Sequence, residues 1–135
     1  MATFKSFEEI EVWKKARTFA LKIWQLTSQG TFSKDYKLRD QINGSAGSIM
    51  DNIAEGYERD GRKEFIQFLS IAKGSLGESK SQLYRAFDRG HISSEELDRL
   101  IIEVVDIGKQ LSGFMSYLSG SDIKGLKYSK PKSEI

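Results

Sequence analysis

Cysteine is absent from the chain, which excludes a disulfide framework, a thiol nucleophile and thiolate metal sites. There is one histidine, His91, too few for a histidine-rich metal centre or for most acid–base relays. The only proline is Pro131, so nothing breaks long helices ahead of the tail. No apolar run approaches the ~18 residues of a membrane span. The opening MATFKSFEEIEVW has no apolar stretch of the signal-peptide kind. Together these predict a cytoplasmic protein with no membrane contact. What is present is an ordinary globular balance, 39% apolar and 30% charged over 135 residues. A chain of this length forms one domain that buries roughly two-thirds of its unfolded surface without staples.

The net charge of +2 resides in the tail, where Lys124, Lys127, Lys130 and Lys132 outnumber Asp122 and Glu134. Residues 1–119 are therefore balanced, which is not the footprint of a dedicated nucleic-acid binder. Within that body the sign alternates. Residues 5–22 carry +2, 35–58 carry −3, 59–89 carry +3 and 91–119 carry −3.

Four segments have helical periodicity, over about 7–28, 35–57, 61–88 and 94–119. In the first, Ser6 and Glu9 have capping-box spacing. Val12, Ala16, Phe19, Ile23 and Leu26 form one apolar stripe, and Trp13, Ala20 and Trp24 form a second beside it. Two stripes exceed what one partner helix covers. Residues 29–34 read as a loop. The second segment has Leu38, Ile42, Ala46, Ile49 and Ile53 on one face. Its phase is unchanged across Asn43-Gly44, so one continuous helix is predicted despite that turn signal.

Asp60 is the expected cap of the third helix, which buries Phe65, Phe68, Leu69, Ala72, Leu76, Leu83 and Phe87. Gly90 is its expected stop. Ser93 and Glu96 give a second capping box, followed by a heptad-like run from Leu97 to Leu118. Residues 120–135 lose periodicity and read as a flexible basic tail. Short connections make consecutive helices antiparallel neighbours, and the alternating charge then sets opposite signs side by side. The predicted fold is all-α, an up-down-up-down four-helix bundle.

The motifs of catalysis are missing. Gly74 to Ser81 superficially resembles a phosphate loop, but the spacing is wrong and the segment is mid-helix, where backbone N–H groups are already bonded. No Glu-x-x-His pair is present for a di-iron site, and no nucleophile elbow supports serine chemistry. His91 reads as a solvated connector residue. Asp51, Glu55 and Glu58 read as an acidic helix face. No cofactor and no small-molecule substrate are expected. Arg59, Arg62, Lys63, Lys73 and Lys80 form a basic stripe that can neutralise phosphates, making them the candidate nucleic-acid contacts. The competing reading pairs them with the acidic second and fourth helices.

At Asn52-Ile53-Ala54-Glu55-Gly56 the chain resembles the four-helix-bundle family encoded by intervening sequences within bacterial 23S rRNA genes. Further matches are Phe7, Ile10 and Trp13, Gln41-Ile42, Ser45 to Ile49, Glu64-Phe65 with Phe68-Leu69, Ile71 to Leu76, Glu78 and Gln82-Leu83. The resemblance implies a left-handed bundle assembled as a ring-like homopentamer. It also implies kinship with accessory proteins of diversity-generating retroelements, pentamers that bind nucleic acid and a reverse transcriptase. The resemblance supplies no catalytic residue. Asn43-Gly44 stands where many relatives carry Arg-Arg, which removes two cations from each subunit.

A pentamer accounts for the wide apolar arc of the first helix and the small-residue faces of the second and third. Trp13, Trp24, Gly44, Gly47, Ser70, Gly74, Gly77 and Ser81 are the expected oligomer contacts. Asn52, Glu55, Glu78 and Gln82 are polar residues near buried seams, expected to pair in an interhelical network.

Overall fold

The computed structural model describes residues 4–120, and the tail read as flexible lies outside them from 121 onward. Four helices fill most of that span: α1 Glu11–Thr27, α2 Tyr36–Glu58, α3 Arg62–Asp88 and α4 Ser94–Ser119. Each packs on its sequence neighbour and α1 meets α4, closing a ring around one core. The contacts run antiparallel. Asn43 early in α2 reaches Thr27 at the end of α1. Ser45 and Ser48 of α2 meet Ser79 and Ser75 of α3. Phe65 early in α3 packs on Phe114 late in α4. Lys15 and Lys22 of α1 reach back to Asp106 and Glu103 of α4.

The apolar stripes lie where their spacing places them. Val12, Ala16, Phe19 and Ile23 are buried on α1, and Leu38, Ile42, Ala46, Ile49 and Ile53 on α2. Phe65, Leu69, Ala72, Leu76 and Leu83 are buried on α3, and Leu97, Val104, Leu111 and Leu118 on α4. Each fully buried Val, Leu, Ile or Phe among them contributes about 1.5–3 kcal/mol. Of the residues expected in the α3 face, Phe68 is half-buried, with the Arg59 guanidinium 5.0 Å from its ring, and Phe87 is exposed in the last turn of the helix. Helix α2 is unbroken through Asn43-Gly44. The Ser93–Glu96 capping box forms, with the two reciprocal bonds at 3.1 and 2.8 Å. Gly90 stops α3 at φ +77, where its own N–H bonds Phe87 and that of His91 bonds Ala86. That paired closure satisfies two orphan carbonyls.

Three local expectations fail. Ser6–Glu9 is not a capping box: the chain makes a separate 3-10 turn, Phe7–Glu9, and α1 starts at Glu11. Ile10 is extended so that its fully buried side chain enters the core, and core burial outweighs helix continuity there. Asp60 does not cap α3. Gly61 takes that position at φ 133, a backbone geometry that glycine adopts without strain. Residues 29–34 are not an open loop, because Gly30–Lys34 winds into a 3-10 turn that buries Phe32.

Candidate interaction surfaces

The α2–α3 seam is polar and tight. Ser45 Oγ donates to Gln82 Oε1 at 2.6 Å and lies 2.8 Å from Ser79 Oγ, all three residues being buried. One turn on, Ser48 Oγ is 3.0 Å from Ser75 Oγ and accepts from Asn52 Nδ2 at 2.8 Å. At Gly56 the helices come so close that a Cβ there would lie 2.6 Å from Phe68 Cβ and 2.9 Å from Phe65 Cδ1. Gln82 thus bonds across the seam, while Asn52 bonds within α2, to Ser48 O and Oγ, and reaches α3 only through the Ser48 hydroxyl. Glu55 and Glu78 do not join the seam: both are exposed, and Glu55 pairs with Arg59 of the same connection at 2.7 Å. A carboxylate in this seam would face desolvation without a cation, whereas hydroxyls satisfy one another. The residues missed are Ser45, Ser48, Ser75 and Ser79. Their signal was serine recurring at three- and four-residue spacing in two consecutive helices.

Outside the core, exposed large apolar side chains occur on every helix, Tyr36 of α2 and Ile71 of α3 among them. On the α1–α2 edge Trp24 is 60% exposed and Leu21 55%. They line a groove of about 760 Å³ with Ala20, Met50, Lys14 and Arg17, and no carboxylate lines it. On α4 Ile102 is 69% exposed and Val105 is exposed too, as are Tyr84 and Phe87 on α3. Trp13 is corrected from the expected oligomer contacts. It is 8% exposed within its own chain, packed edge-on against Phe7 with the Arg17 guanidinium 5.7 Å from its ring. The Phe7–Glu9 turn brings Phe7 over it, a cover that helix periodicity could not show. Gly44, Ser70, Gly74, Gly77 and Ser81 are exposed and Gly47 is half-buried, and a Cβ at any of the four glycines would meet nothing within 4 Å.

The basic stripe divides. Arg59 is engaged by Glu55, which raises its pKa, and lies over the Phe68 ring at 5.0 Å. Arg62, Lys63, Lys73 and Lys80 have no ion-pair partner among the described residues. Among the described residues, Lys15–Asp106 at 2.6 Å and Lys22–Glu103 at 2.8 Å join α1 to α4, and Arg89–Asp35 at 2.9 Å joins the end of α3 to the start of α2.

His91 is not a solvated connector. Its ring stacks on Phe32 at 5.0 Å, Nε2 lies 2.8 Å from Asp35 Oδ2 and Nδ1 lies 2.8 Å from Thr31 Oγ1. Asp35, which also accepts from Arg89 and caps α2, is lowered to about 2, chiefly by the His91 bond and then by Arg89. The cluster ties the α1–α2 turn to the α3–α4 turn. Among the described residues no group of three acidic, histidine or cysteine side chains is placed to hold a metal. No described helix is long and apolar enough to cross a membrane.

A family model described as the 23S rRNA-intervening sequence protein matches residues 8–113, which takes in α1, α2, α3 and most of α4. The chain belongs to that family. Four chains of solved structures match this 23S rRNA-intervening sequence protein. Among them is a 1.70 Å crystal structure of a protein of unknown function from the S23 ribosomal protein family of Bacteroides thetaiotaomicron VPI-5482. It is 25% identical, with a TM-score of 0.70 over 77% of this chain and 97% of the other. No curated protein matches. The shared feature is thus the bundle itself, and the relative brings no activity with it.

Proposed function

We propose that this family member is a non-enzymatic, cytoplasmic assembly protein whose outer faces do its work, first by joining copies of itself. The observation that carries this reading is the groove beside Trp24, where Leu21 and Trp24 are more than half exposed and Ala20 and Met50 add to the apolar lining. Apolar surface of this kind marks interaction sites. The family resemblance supports a ring of five. Multi-angle light scattering across a concentration series tests the reading. The expected mass is a multiple of the 15.3 kDa chain, and a monomer at every concentration overturns it.

A second reading rests on a different observation. Arg62, Lys63, Lys73 and Lys80 are cations on α3 with no ion-pair partner among the described residues, and a ring of copies would repeat them. RNA or DNA is the partner that fits, with a reverse transcriptase as a further partner by family analogy. Affinity for generic RNA should then fall steeply with salt. Lys73→Glu with Lys80→Glu should abolish it, whereas Lys14→Glu with Lys15→Glu should change it less. Binding that ignores salt sinks this reading.

A further inference from the structure

We propose that Thr31 is an acyl-acceptor site: its hydroxyl, activated by His91, attacks small activated esters and keeps the acyl group. The reaction modifies the protein once per chain, so it stands apart from the assembly reading and does not rest on it.

Three side chains meet where the α1–α2 and α3–α4 turns join. Thr31 Oγ1 lies 2.8 Å from His91 Nδ1, and His91 Nε2 lies 2.8 Å from Asp35 Oδ2. Asp35 decides which ring nitrogen carries the proton. Its carboxyl is held at about 2 and also receives Arg89, so near neutral pH it is an ionised acceptor. A carboxylate has no hydrogen to give, so the proton of the neutral ring sits on Nε2. Nδ1 is left with a free lone pair, and the Thr31 hydroxyl donates to it. The stack on Phe32, with 15° between the rings, holds the imidazole in that plane. The His91 side chain is only 9% exposed, whereas Thr31 is exposed. A hydroxyl that donates inward to a base turns its oxygen lone pairs outward.

Nucleophile, base and orienting carboxylate in this order make a hydroxyl reactive. Other exposed hydroxyls are spent on their own helices. Thr18 donates to Lys14 O, Ser28 to Trp24 O and Ser119 to Met115 O. His91 is the single histidine of the chain, so no other hydroxyl can have an imidazole of the same chain as its base.

In the step, Thr31 Oγ1 bonds to the acyl carbon of the ester while its proton passes to His91 Nδ1. The bond from that carbon to the leaving oxygen breaks, and the imidazolium gives the proton to the leaving group. An ester on Thr31 and a free alcohol or phenol result. Asp35 touches neither reactant and is a positioning residue.

The probe is p-nitrophenyl acetate, added to the folded full chain near neutral pH, with acetylation mapped by peptide mass spectrometry. Thr31 should react at least about a hundredfold faster than Thr18, the gain that general-base help provides. Thr31→Ser should keep that reactivity and Thr31→Val should abolish it. His91→Gln, checked for folding by circular dichroism, should bring Thr31 down to the rate of Thr18. Wild type unfolded in urea should show the same loss, which keeps the comparison decisive if His91→Gln does not fold. Nitrogen NMR of the lone imidazole should place the proton on Nε2. Asp35→Asn, whose amide N–H can face the ring, should raise the share protonated on Nδ1 and slow Thr31 acetylation.

Thr31 reacting no faster than Thr18 in the folded wild type overturns the proposal. So does a Thr31 rate that folded His91→Gln leaves unchanged. Either result leaves self-assembly standing, and a monomeric wild type leaves the Thr31 site standing.

Discussion

The α2–α3 and α1–α4 seams close the same bundle by opposite means. Between α2 and α3 the backbones approach until only glycine fits at position 56, and short hydroxyls meet at 2.8 and 3.0 Å. Between α1 and α4 the gap is spanned by long side chains, Lys15 to Asp106 and Lys22 to Glu103. Two grooves of about 300 and 320 Å³ lie along it, sharing Lys22 and Glu103. Small residues give a contact its geometry, because neither partner can shift without losing a buried bond. Long charged residues tolerate movement and contribute little each. Register in this bundle is therefore set at α2–α3, and α1–α4 is the seam with freedom to adjust.

The sharpest way to break that contrast is a single methyl group at two glycines. Gly56→Ala places a Cβ 2.6 Å from Phe68 Cβ, an atom fixed to the backbone that cannot swing aside. It should cost about 1–3 kcal/mol by overpacking, although alanine in a helix is otherwise favoured by up to about 1 kcal/mol. Gly77→Ala on the same pair of helices meets nothing within 4 Å and should stabilise by up to about 1 kcal/mol. Urea denaturation of the two variants should move the midpoint in opposite directions, and a common direction would end the close-approach account.

Next in size is the buried hydrogen-bond network. Ser45→Ala leaves Gln82 Oε1 without its donor in a buried site, at a cost of about 1–3 kcal/mol. Adding Gln82→Met removes the orphaned acceptor, so the double variant should lose less than the sum of the two single losses. Strict additivity in that cycle would mean that the two groups do not interact.

How much of this was legible in the sequence follows from which forces set each feature. Apolar phase gave the helices and their faces, since burial depends on periodicity that a sequence displays directly. It carried α2 through Asn43-Gly44, where turn propensity pointed the other way. It did not show that Ile10 would leave the helix to enter the core, because that outcome depends on the neighbours that receive the side chain. Trp13 looked surplus for the same reason: its cover, Phe7, comes from a 3-10 turn outside the periodic segment. Glu55 and Glu78 belong to the stretches that match the family, but each stands one residue from a buried position, Gly56 or Ser79, and that step of about 100° around the helix separates a buried group from a solvated carboxylate. The serine ladder was visible as spacing but carries no hydrophobic signal. Leu21, Ile102 and Val105 are apolar residues out of phase with the core, a signal that the reading of the stripes passed over.

A smaller effect should come from the end of the bundle, where Asp35 joins the two turns. Its carboxyl is held at about 2, below its ordinary 3.8, by the His91 bond first and by Arg89 second. A depressed carboxyl stabilises the fold above its unfolded value, and that contribution disappears as pH falls from about 4 through about 2. Asp35→Asn should flatten the acid limb of a stability–pH curve in that window and leave the shape above pH 5 nearly unchanged. An unaltered acid limb would show that the cluster does not couple to folding.

The smallest effects should come from the α1–α4 seam. Lys15 and Lys22 are each more than two-fifths exposed, so water and salt compete for both pairs. Lys15→Ala and Lys22→Ala should each cost about 0–1 kcal/mol at low salt, and the cost should shrink further near 1 M salt, where the Debye length is about 3 Å. Ser45→Ala measured alongside should be insensitive to salt, because a buried hydroxyl–amide bond has no ionic atmosphere to screen. If both seams responded alike to salt, the division between a register-setting contact and an adjustable one would be lost. If only α1–α4 responds, the bundle holds its shape through α2–α3 while α1 keeps room to adjust against α4.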